Sequence, residues 1–384
     1  MNIIKTFRLL NRFRFSRYLQ SGYVLPVNHF MPRKRFASDY VATKSLKVTI
    51  CGAAGNLGQP LSLLLKQCPL FDEIALYDIA PVCGIGTELG HVDTSCLISA
   101  YQGTKSLKDS LKDAKIVLIL ASAPIMPSMT VKSMFDANAN IICEIGKACA
   151  THCPKALLGV VTTPINCIVP MISEIFKQCG CYDPNKILGI TTLDSVRANT
   201  MVAKVACLEP EGVVVPVVGG QSEDTIIPVL SQTNPCLILE PEEVENITNA
   251  VKTASNDIHL TRYGQSTPAL SCAFAVARFT ISLAKALNGE KEIVETAFVR
   301  SDAVRECKYF ATPVVLGPEG VQLNWGLPSM NKYESCILGT AVKNLQKHIC
   351  YGESYVRKAR ICKPDCVLDC PEDKKMIDRS KLKA

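Results

Sequence analysis

The sequence predicts an α/β protein, a doubly wound parallel sheet followed by an α+β second domain. Three observations predict it. From residue 45 to about 190, apolar strand-like runs alternate with helix-like segments, the pattern of a parallel sheet with helices on its faces. The first run ends in a turn with glycines at 52, 55 and 58 that leads straight into an apolar helix-like segment. After residue 190 the alternation gives way to long helical stretches and isolated strands.

The elements follow in order. Run 46–51 is the first strand. Gly52-Ala53-Ala54-Gly55-Asn56-Leu57-Gly58 is the turn, and 57–67 is helix-like. A strand feeding a tight turn into a helix N-terminus makes a diphosphate site, because backbone N–H groups point outward and the helix dipole favours negative charge. Each glycine has a job there: the tight turn, close approach of a pyrophosphate, and close packing of helix on strand. Run 73–77 is the second strand, and Asp78 closes it twenty residues past Gly58. An acid there accepts from a ribose 2′-OH and repels a 2′-phosphate, which favours NAD over NADP. Three spaced glycines alone are weak evidence, since any βα turn can use glycine. Here strand, glycines, helix and acid agree. They predict a nucleotide site and no reaction.

Runs 115–121, 141–145, 157–162 and 187–190 read as further strands, with helix-like pieces near 105–113, 129–138 and 166–178. Pro164 and Asn166 follow run 157–162, where strand C-termini meet a ligand. Beyond 190, residues 192–206 read as helix. Runs 212–218 and 312–316 read as strands, and 241–258, 268–287 and 333–350 as helices. The expected domains are 46–190 for nucleotide binding and 191–356 for the second unit. The charged tail 357–384 is expected to be loosely ordered.

The first 38 residues hold eight Lys or Arg and no acid before Asp39. An arginine-rich, acid-free, potentially amphipathic leader reads as a mitochondrial transit peptide, with Arg35-Phe36-Ala37-Ser38 as a place for processing to end. A basic tail or nucleic-acid arm is the competing reading. The leader's apolar runs are too short and too charged for a membrane span. It also accounts for the charge: 42 basic against 35 acidic residues give +7, and dropping the leader's eight leaves 34 against 35. The basic balance therefore does not point to nucleic acid. Nineteen cysteines are scattered, several inside apolar runs, where a reduced thiol behaves as a small hydrophobe. With no secretory signal and no paired CxxC, neither a disulfide framework nor a zinc site is the first reading. No metal is expected. Cys362, Cys366 and Cys370 recur every four residues in the tail, a spacing compatible with one helical face. Metal or redox use and chance both remain open there.

From about 46 to 356 the chain resembles the malate dehydrogenases of mitochondrial type. The matching blocks are Gly52–Leu65, Leu76-Tyr77-Asp78-Ile79, Thr191-Thr192-Leu193-Asp194-Ser195-Val196-Arg197-Ala198-Asn199-Thr200, Val217-Val218-Gly219-Gly220, Thr225-Ile226-Ile227-Pro228 and Tyr309-Phe310-Ala311-Thr312-Pro313. The resemblance implies a Rossmann half, a catalytic-type half, a homodimer in the mitochondrial matrix, and reversible NAD-dependent oxidation of malate, a small dicarboxylate, to oxaloacetate. It implies a histidine base oriented by an aspartate, and three arginines for the dicarboxylate. Histidine suits the work because its pKa lies near working pH. Arginine suits it because its planar fork binds carboxylates in a bidentate way.

Carried over one by one, the orienting aspartate matches Asp194 and one substrate arginine matches Arg197. The histidine's position after Gly219-Gly220 holds Gln221. Its amide can donate to Asp194 but cannot exchange a proton at neutral pH. The positions of the other two arginines hold Ile125 and Val131, and the substrate-facing asparagine is replaced by Thr163. Glu223 and Asp224 add negative charge. Gly52, Ala53, Ala54, Gly55, Gly58, Asp78 and Asn138 keep the cofactor pattern, while Asn56 and Leu57 depart from it. Ser122 replaces a glycine, and Cys272 replaces a methionine near the nicotinamide. His29, His91, His152, His259 and His348 do not neighbour Gln221 in sequence. The resemblance with these departures implies an NAD-binding pseudoenzyme. The alternatives are a working malate dehydrogenase with an atypical site, or a dehydrogenase of a changed 2-hydroxy acid.

Overall fold

The computed structural model describes residues 45–126, 129–264 and 267–359. The leader 1–38 with its expected processing site, and the tail cysteines 362, 366 and 370, lie outside the described residues.

The first half follows the expected alternation: β1 (Lys47–Cys51), α1 (Gly58–Lys66), β2 (Glu73–Asp78), α2 (Cys83–Gly90), β3 (Leu97–Gln102), α3 (Leu107–Leu111), β4 (Ile116–Ile119), α4 (Val131–His152), β5 (Leu157–Val160), α5 (Ile165–Gln178) and β6 (Ile187–Ile190). The six strands are parallel in the order β3-β2-β1-β4-β5-β6. Strand order reverses between β1 and β4, whose last residues Cys51 and Ile119 pair. The C-terminal ends of those strands form the crevice in which such sheets bind ligands. Every residue of β1, β4, β5 and β6 is buried, as strands covered on both faces must be.

The second half holds α6 (Thr192–Ala206), β7 (Val217–Gly219), β8 (Ile226–Pro228), α7 (Pro241–Thr261), α8 (Leu270–Leu287), β9 (Ile293–Arg300), β10 (Tyr309–Gly317), β11 (Gly320–Asn324) and α9 (Lys332–Ala359). β9 pairs antiparallel with β6 through Gly189↔Phe298 and Ile190↔Ala297. One sheet therefore continues β6-β9-β10-β7-β8, with β11 on β10. Where the sequence changes pattern at 190, the hydrogen bonding does not stop.

The expected strand 141–145 is instead the middle of α4. Its apolar run is one part of a buried stripe, Phe135, Ala139, Ile142, Cys143, Gly146, Cys149 and Ala150, spaced by threes and fours as a helix face requires. A short apolar run has no period of its own, and the stripe decides. At its start Thr130 caps the helix, its hydroxyl accepting from Ser133 N at 3.2 Å. Expected strand 212–218 shortens to β7, and α2, β3, β8, β9 and β11 have no counterpart among the expected elements.

Buried thiols pack as hydrophobes: Cys51, Cys143, Cys149, Cys153, Cys167 and Cys179 all lie in one apolar cluster with α4 and α5. Burial pushes the Cys51 and Cys167 thiols well up, so they stay protonated and unreactive. Among the described residues no three His, Cys, Asp or Glu side chains are placed to hold a metal ion. α8 is long and apolar enough to cross a membrane by length and composition. Ala273, Val276, Phe279 and Leu283 bury one of its faces, as in a core helix packed on α1.

Candidate functional site

The β1–α1 turn is built as a phosphate cradle. Gly52 has φ +101°, and a Cβ there would lie 2.6 Å from Ala121 N. Only glycine meets both demands. Gly58 is buried, and a Cβ there would strike the Gly52 and Ala53 carbonyls, so α1 can close on the turn only without one. Gly55 is exposed with open space beyond Gly52 O, leaving its backbone approachable. Asn56 is exposed beside it, and Leu57, the residue before α1, is half-buried against the core. Asp78 sits at the end of β2 with Oδ2 accepting from Ala54 N at 2.9 Å and Oδ1 from Ala80 N at 3.0 Å. It fixes the turn and retains acceptor capacity on both oxygens. These residues fit an adenosine diphosphate: an open glycine backbone for the pyrophosphate, an anchored acid for the ribose.

The loop after β4 is held from behind. Asn138, on α4 and buried, accepts from Ala123 N at 2.7 Å and donates to Thr163 O at 2.8 Å. Its amide thus clamps two loops together. Thr162 Oγ1 donates to Ala121 O at 2.9 Å, a second tie between the same loops. Ile125 and Val131 are half-buried and flank the pair of undescribed residues 127 and 128. Val131 packs against the α4–α5 core. Thr163, ahead of Pro164, meets Asn138 through its carbonyl.

Helix α6 carries the charged pair. Asp194 and Arg197, three residues apart, are both buried, with Arg197 Nη1 at 3.3 Å from Asp194 Oδ1. Nη1 also donates to Ser255 Oγ at 2.9 Å. Burial pushes the Asp194 carboxyl up to about 6, against the pull of Arg197. The beginning of α6 is short of partners: Thr192 Oγ1, Asp194 Oδ2, Ser195 Oγ and Arg197 Nη2 are buried without a hydrogen bond among the described residues. Cys272 on α8 feels both charges, and burial pushes its thiol up to about 12.

Gln221 does not serve Asp194. Its Nε2 donates to Ile190 O at 3.3 Å, and Asp194 Oδ2 is left unpaired. The expected Gln221–Asp194 bond is thus corrected: a main-chain acceptor at the end of β6 takes the amide. The Gln221 loop is held by Asn166 on α5, whose Oδ1 accepts from Gln221 N at 3.0 Å. Asn166 Nδ2 donates to Ser222 and Thr225 hydroxyls, each at 3.1 Å. A Cβ on Gly220 would lie 2.6 Å from that Asn166 oxygen.

Hydrogen bonds therefore chain together the loops at 121–126, 162–166 and 219–225 and the end of β6. Sequence reasoning missed Ser255, the partner of Arg197, for which no residue pattern gives a signal. It weighed His348 only as a histidine distant from Gln221 in sequence. That buried side chain on α9 places Nδ1 3.3 Å from Asn166 Nδ2, with the Asn166 amide between it and the Gln221 backbone. Burial lowers its pKa, and it packs behind the loop.

Comparison with known proteins adds the following. The lactate/malate dehydrogenase NAD binding domain family matches residues 46–189, and the lactate/malate dehydrogenase alpha/beta C-terminal domain family matches residues 191–356. The mitochondrial malate dehydrogenase of Homo sapiens is 40% identical over 325 residues, 85% of this chain and 95% of that protein. That of Sus scrofa is 40% identical over 314 residues, 82% and 93% of the two chains. Among solved structures, malate dehydrogenase from Picrophilus torridus superposes with a TM-score of 0.72 at 20% identity, covering 82% of this chain and 99% of its own. Lactate dehydrogenase from Eimeria maxima with NADH and oxamate gives 0.70 at 22%, covering 83% and 98%.

Proposed function

The chain belongs to the lactate/malate dehydrogenase family, and on that premise we propose that it is an NAD(H)-binding, malate dehydrogenase-like protein of the mitochondrial matrix in which malate–oxaloacetate turnover is lost or strongly reduced. Its first half is the family's NAD-binding domain. NAD, when bound, supplies the hydride acceptor. Gly52, Gly55, Gly58 and Asp78 would hold its diphosphate and ribose, and Asn138 would set the loop beside it.

The observation that carries the loss is Asp194 Oδ2 unpaired while Gln221 turns to Ile190 O. Oxidising a 2-hydroxy acid requires an acceptor for the hydroxyl proton. An amide has no basic nitrogen, so Gln221 cannot be that acceptor. Loss of a general base lowers the rate ~100- to 10,000-fold. Ile125 and Val131 offer no cation to a second carboxylate, and each lost charge-assisted bond removes roughly 1.5–3 kcal/mol. These terms are not additive, but they point the same way.

A changed 2-hydroxy acid is the second reading. Arg197, with Nη2 unpaired, suits one carboxylate, and half-buried Ile125 and Val131 suit an apolar tail. The two readings separate in one experiment: NADH binding by calorimetry, then NADH oxidation against a panel of 2-oxo acids. The pseudoenzyme reading expects binding heat and no 2-oxo acid that drives turnover at an ordinary enzyme rate. Rapid turnover of a monocarboxylate would install the second reading instead.

A further inference from the structure

Asn166 holds the Gln221 loop with a carboxamide that has one oxygen to give. Oδ1 accepts from Gln221 N at 3.0 Å. Nδ2 stands 3.1 Å from the Ser222 and Thr225 hydroxyls and 3.3 Å from His348 Nδ1, so two hydrogens are shared among three acceptors. A backbone N–H can only donate, which fixes the oxygen toward Gln221 and the NH2 toward His348. His348 Nδ1 is then an acceptor, and the imidazole is neutral with its proton on Nε2. Asn166 and His348 are buried, at 1% and 6% exposure, and buried polar groups rely on partners within the protein.

We propose that protonation of His348 turns the Asn166 carboxamide over and releases the Gln221 loop, an acid-operated latch. A protonated imidazole donates from both nitrogens, so Nδ1–H would face the Asn166 NH2, donor against donor. His348 and Gln221 N then compete for one oxygen. The charged donor makes the stronger bond, so the oxygen goes to His348 and Gln221 N is left facing the NH2. The turn needs no extra room, because oxygen and NH2 are nearly equal in size. Gly220, whose Cβ would lie 2.6 Å from Oδ1, leaves the amide the space it fills. The Ser222 and Thr225 hydroxyls donate as well as accept, so they follow the turn and the loss falls on Gln221 N.

The charges around His348 divide. Asp224, on the loop itself, favours the imidazolium, and Lys347, beside it on α9, opposes it. Glu223 on the same loop is exposed. α9 packs on α4, α5, β7 and β8. α4 presents Lys132 and Asp136, paired at 2.6 Å, with Lys132 over the ring of Tyr351, which lies next to the imidazole. In the first turn of α5 the Cys167 thiol stays protonated, and β7 and β8 carry no titratable side chain. Burial outweighs Asp224 and holds the imidazole below its ordinary 6.5. The latch is therefore closed at neutral pH and opens in acid.

The latch needs only Asn166, His348 and the loop, so it stands apart from whether any substrate turns over. Hydrogen exchange of the full-length chain, read by mass spectrometry on peptides spanning 219–225 and corrected for the intrinsic pH dependence, follows the loop from pH 8 into acid. The imidazole NMR signal of His348, assigned by its loss in His348→Gln, reports the charge in the same buffers. Loop protection should fall about five- to tenfold, the worth of one hydrogen bond, at the midpoint of the His348 titration, while peptides of β1 and β5 keep theirs. His348→Gln has no proton to gain and should keep the loop protected throughout. Asn166→Asp offers acceptors to Gln221 N and His348 at once, so the loop should stay protected there while His348 titrates at higher pH. The proposal is overturned by loop protection that does not follow His348, or by an unchanged acid response in His348→Gln. Acid release in Asn166→Asp at the His348 midpoint overturns it too, as does a His348 that stays neutral until the whole protein unfolds.

Discussion

In an unfolded chain a carboxyl such as that of Asp194 titrates near 4; in the folded protein it titrates at about 6, with burial as the main cause. Between those values the native state holds more protons than the unfolded state, so stability falls as pH rises through the window. Above about pH 6 the ionised carboxylate destabilises the fold by roughly 2–3 kcal/mol. Relative to the unmutated protein, Asp194→Asn should therefore gain roughly 2–3 kcal/mol of stability between pH 4 and pH 8, on top of a constant cost for leaving Arg197 without its charged partner. Urea unfolding at both values checks this, and an equal effect at both would contradict it. At this scale the sequence was most informative about types. Gln221 stands out because it follows Gly219-Gly220, and Arg197 because it lies three residues after Asp194. Partners were less legible. Ile190 O takes the Gln221 amide, and a main-chain carbonyl leaves no mark in the residue sequence. The same holds for Asn138, whose two hydrogen bonds, from Ala123 N and to Thr163 O, both run to the main chain.

Elements were legible where two signals coincided. The β1–α1 turn combined glycine spacing, an apolar strand and an apolar helix, and it folds as expected. Run 141–145 had one signal, apolarity over five residues, and the longer helical stripe from Phe135 to Ala150 outweighed it. β9 was missed because Ile293–Arg300 mixes Glu295 and Thr296 into an apolar run, and its pairing with β6 is set by contacts more than a hundred residues away in sequence. The turn's glycines give a paired test. Gly52→Ala forces a Cβ onto Ala121 backbone at positive φ and should destabilise the fold by about 2 kcal/mol or more. Gly55→Ala meets only Gly52 O at 3.4 Å, so its melting temperature should hold while NADH affinity falls about tenfold or more, because the Cβ occupies the surface a pyrophosphate approaches. Thermal melts and NADH titration of both variants check the pair. If Gly55→Ala binds NADH normally, the turn does not hold the cofactor in the proposed way.

For the whole molecule, the family resemblance implies a homodimer, and the surface offers it apolar area. Leu63 on α1, Leu270 and Phe274 one turn apart on α8, and Leu260 and Tyr263 at the end of α7 are exposed, and α1 packs against α8. Light scattering should give twice the chain mass, and Leu270→Glu with Phe274→Glu should return the monomer; a monomeric unmutated protein would contradict that implication. The sheet that joins both halves through β6 and β9 was not legible at all, since the change of pattern at 190 marks a change of sequence style and the sheet crosses it. What the whole molecule does is decided by the proton. We predict that the purified protein reduces oxaloacetate with NADH at least several hundredfold more slowly than a histidine-bearing relative, within the range for loss of a general base. Gln221→His alone should recover little, and the triple variant with Ile125→Arg and Val131→Arg much more than the separate changes combined, because proton transfer needs a positioned substrate. Steady-state NADH oxidation under saturating oxaloacetate is the deciding measurement. A rate several hundredfold below the relative's is the predicted result; an ordinary enzyme rate from the unmutated chain would contradict it and require another group to carry the proton.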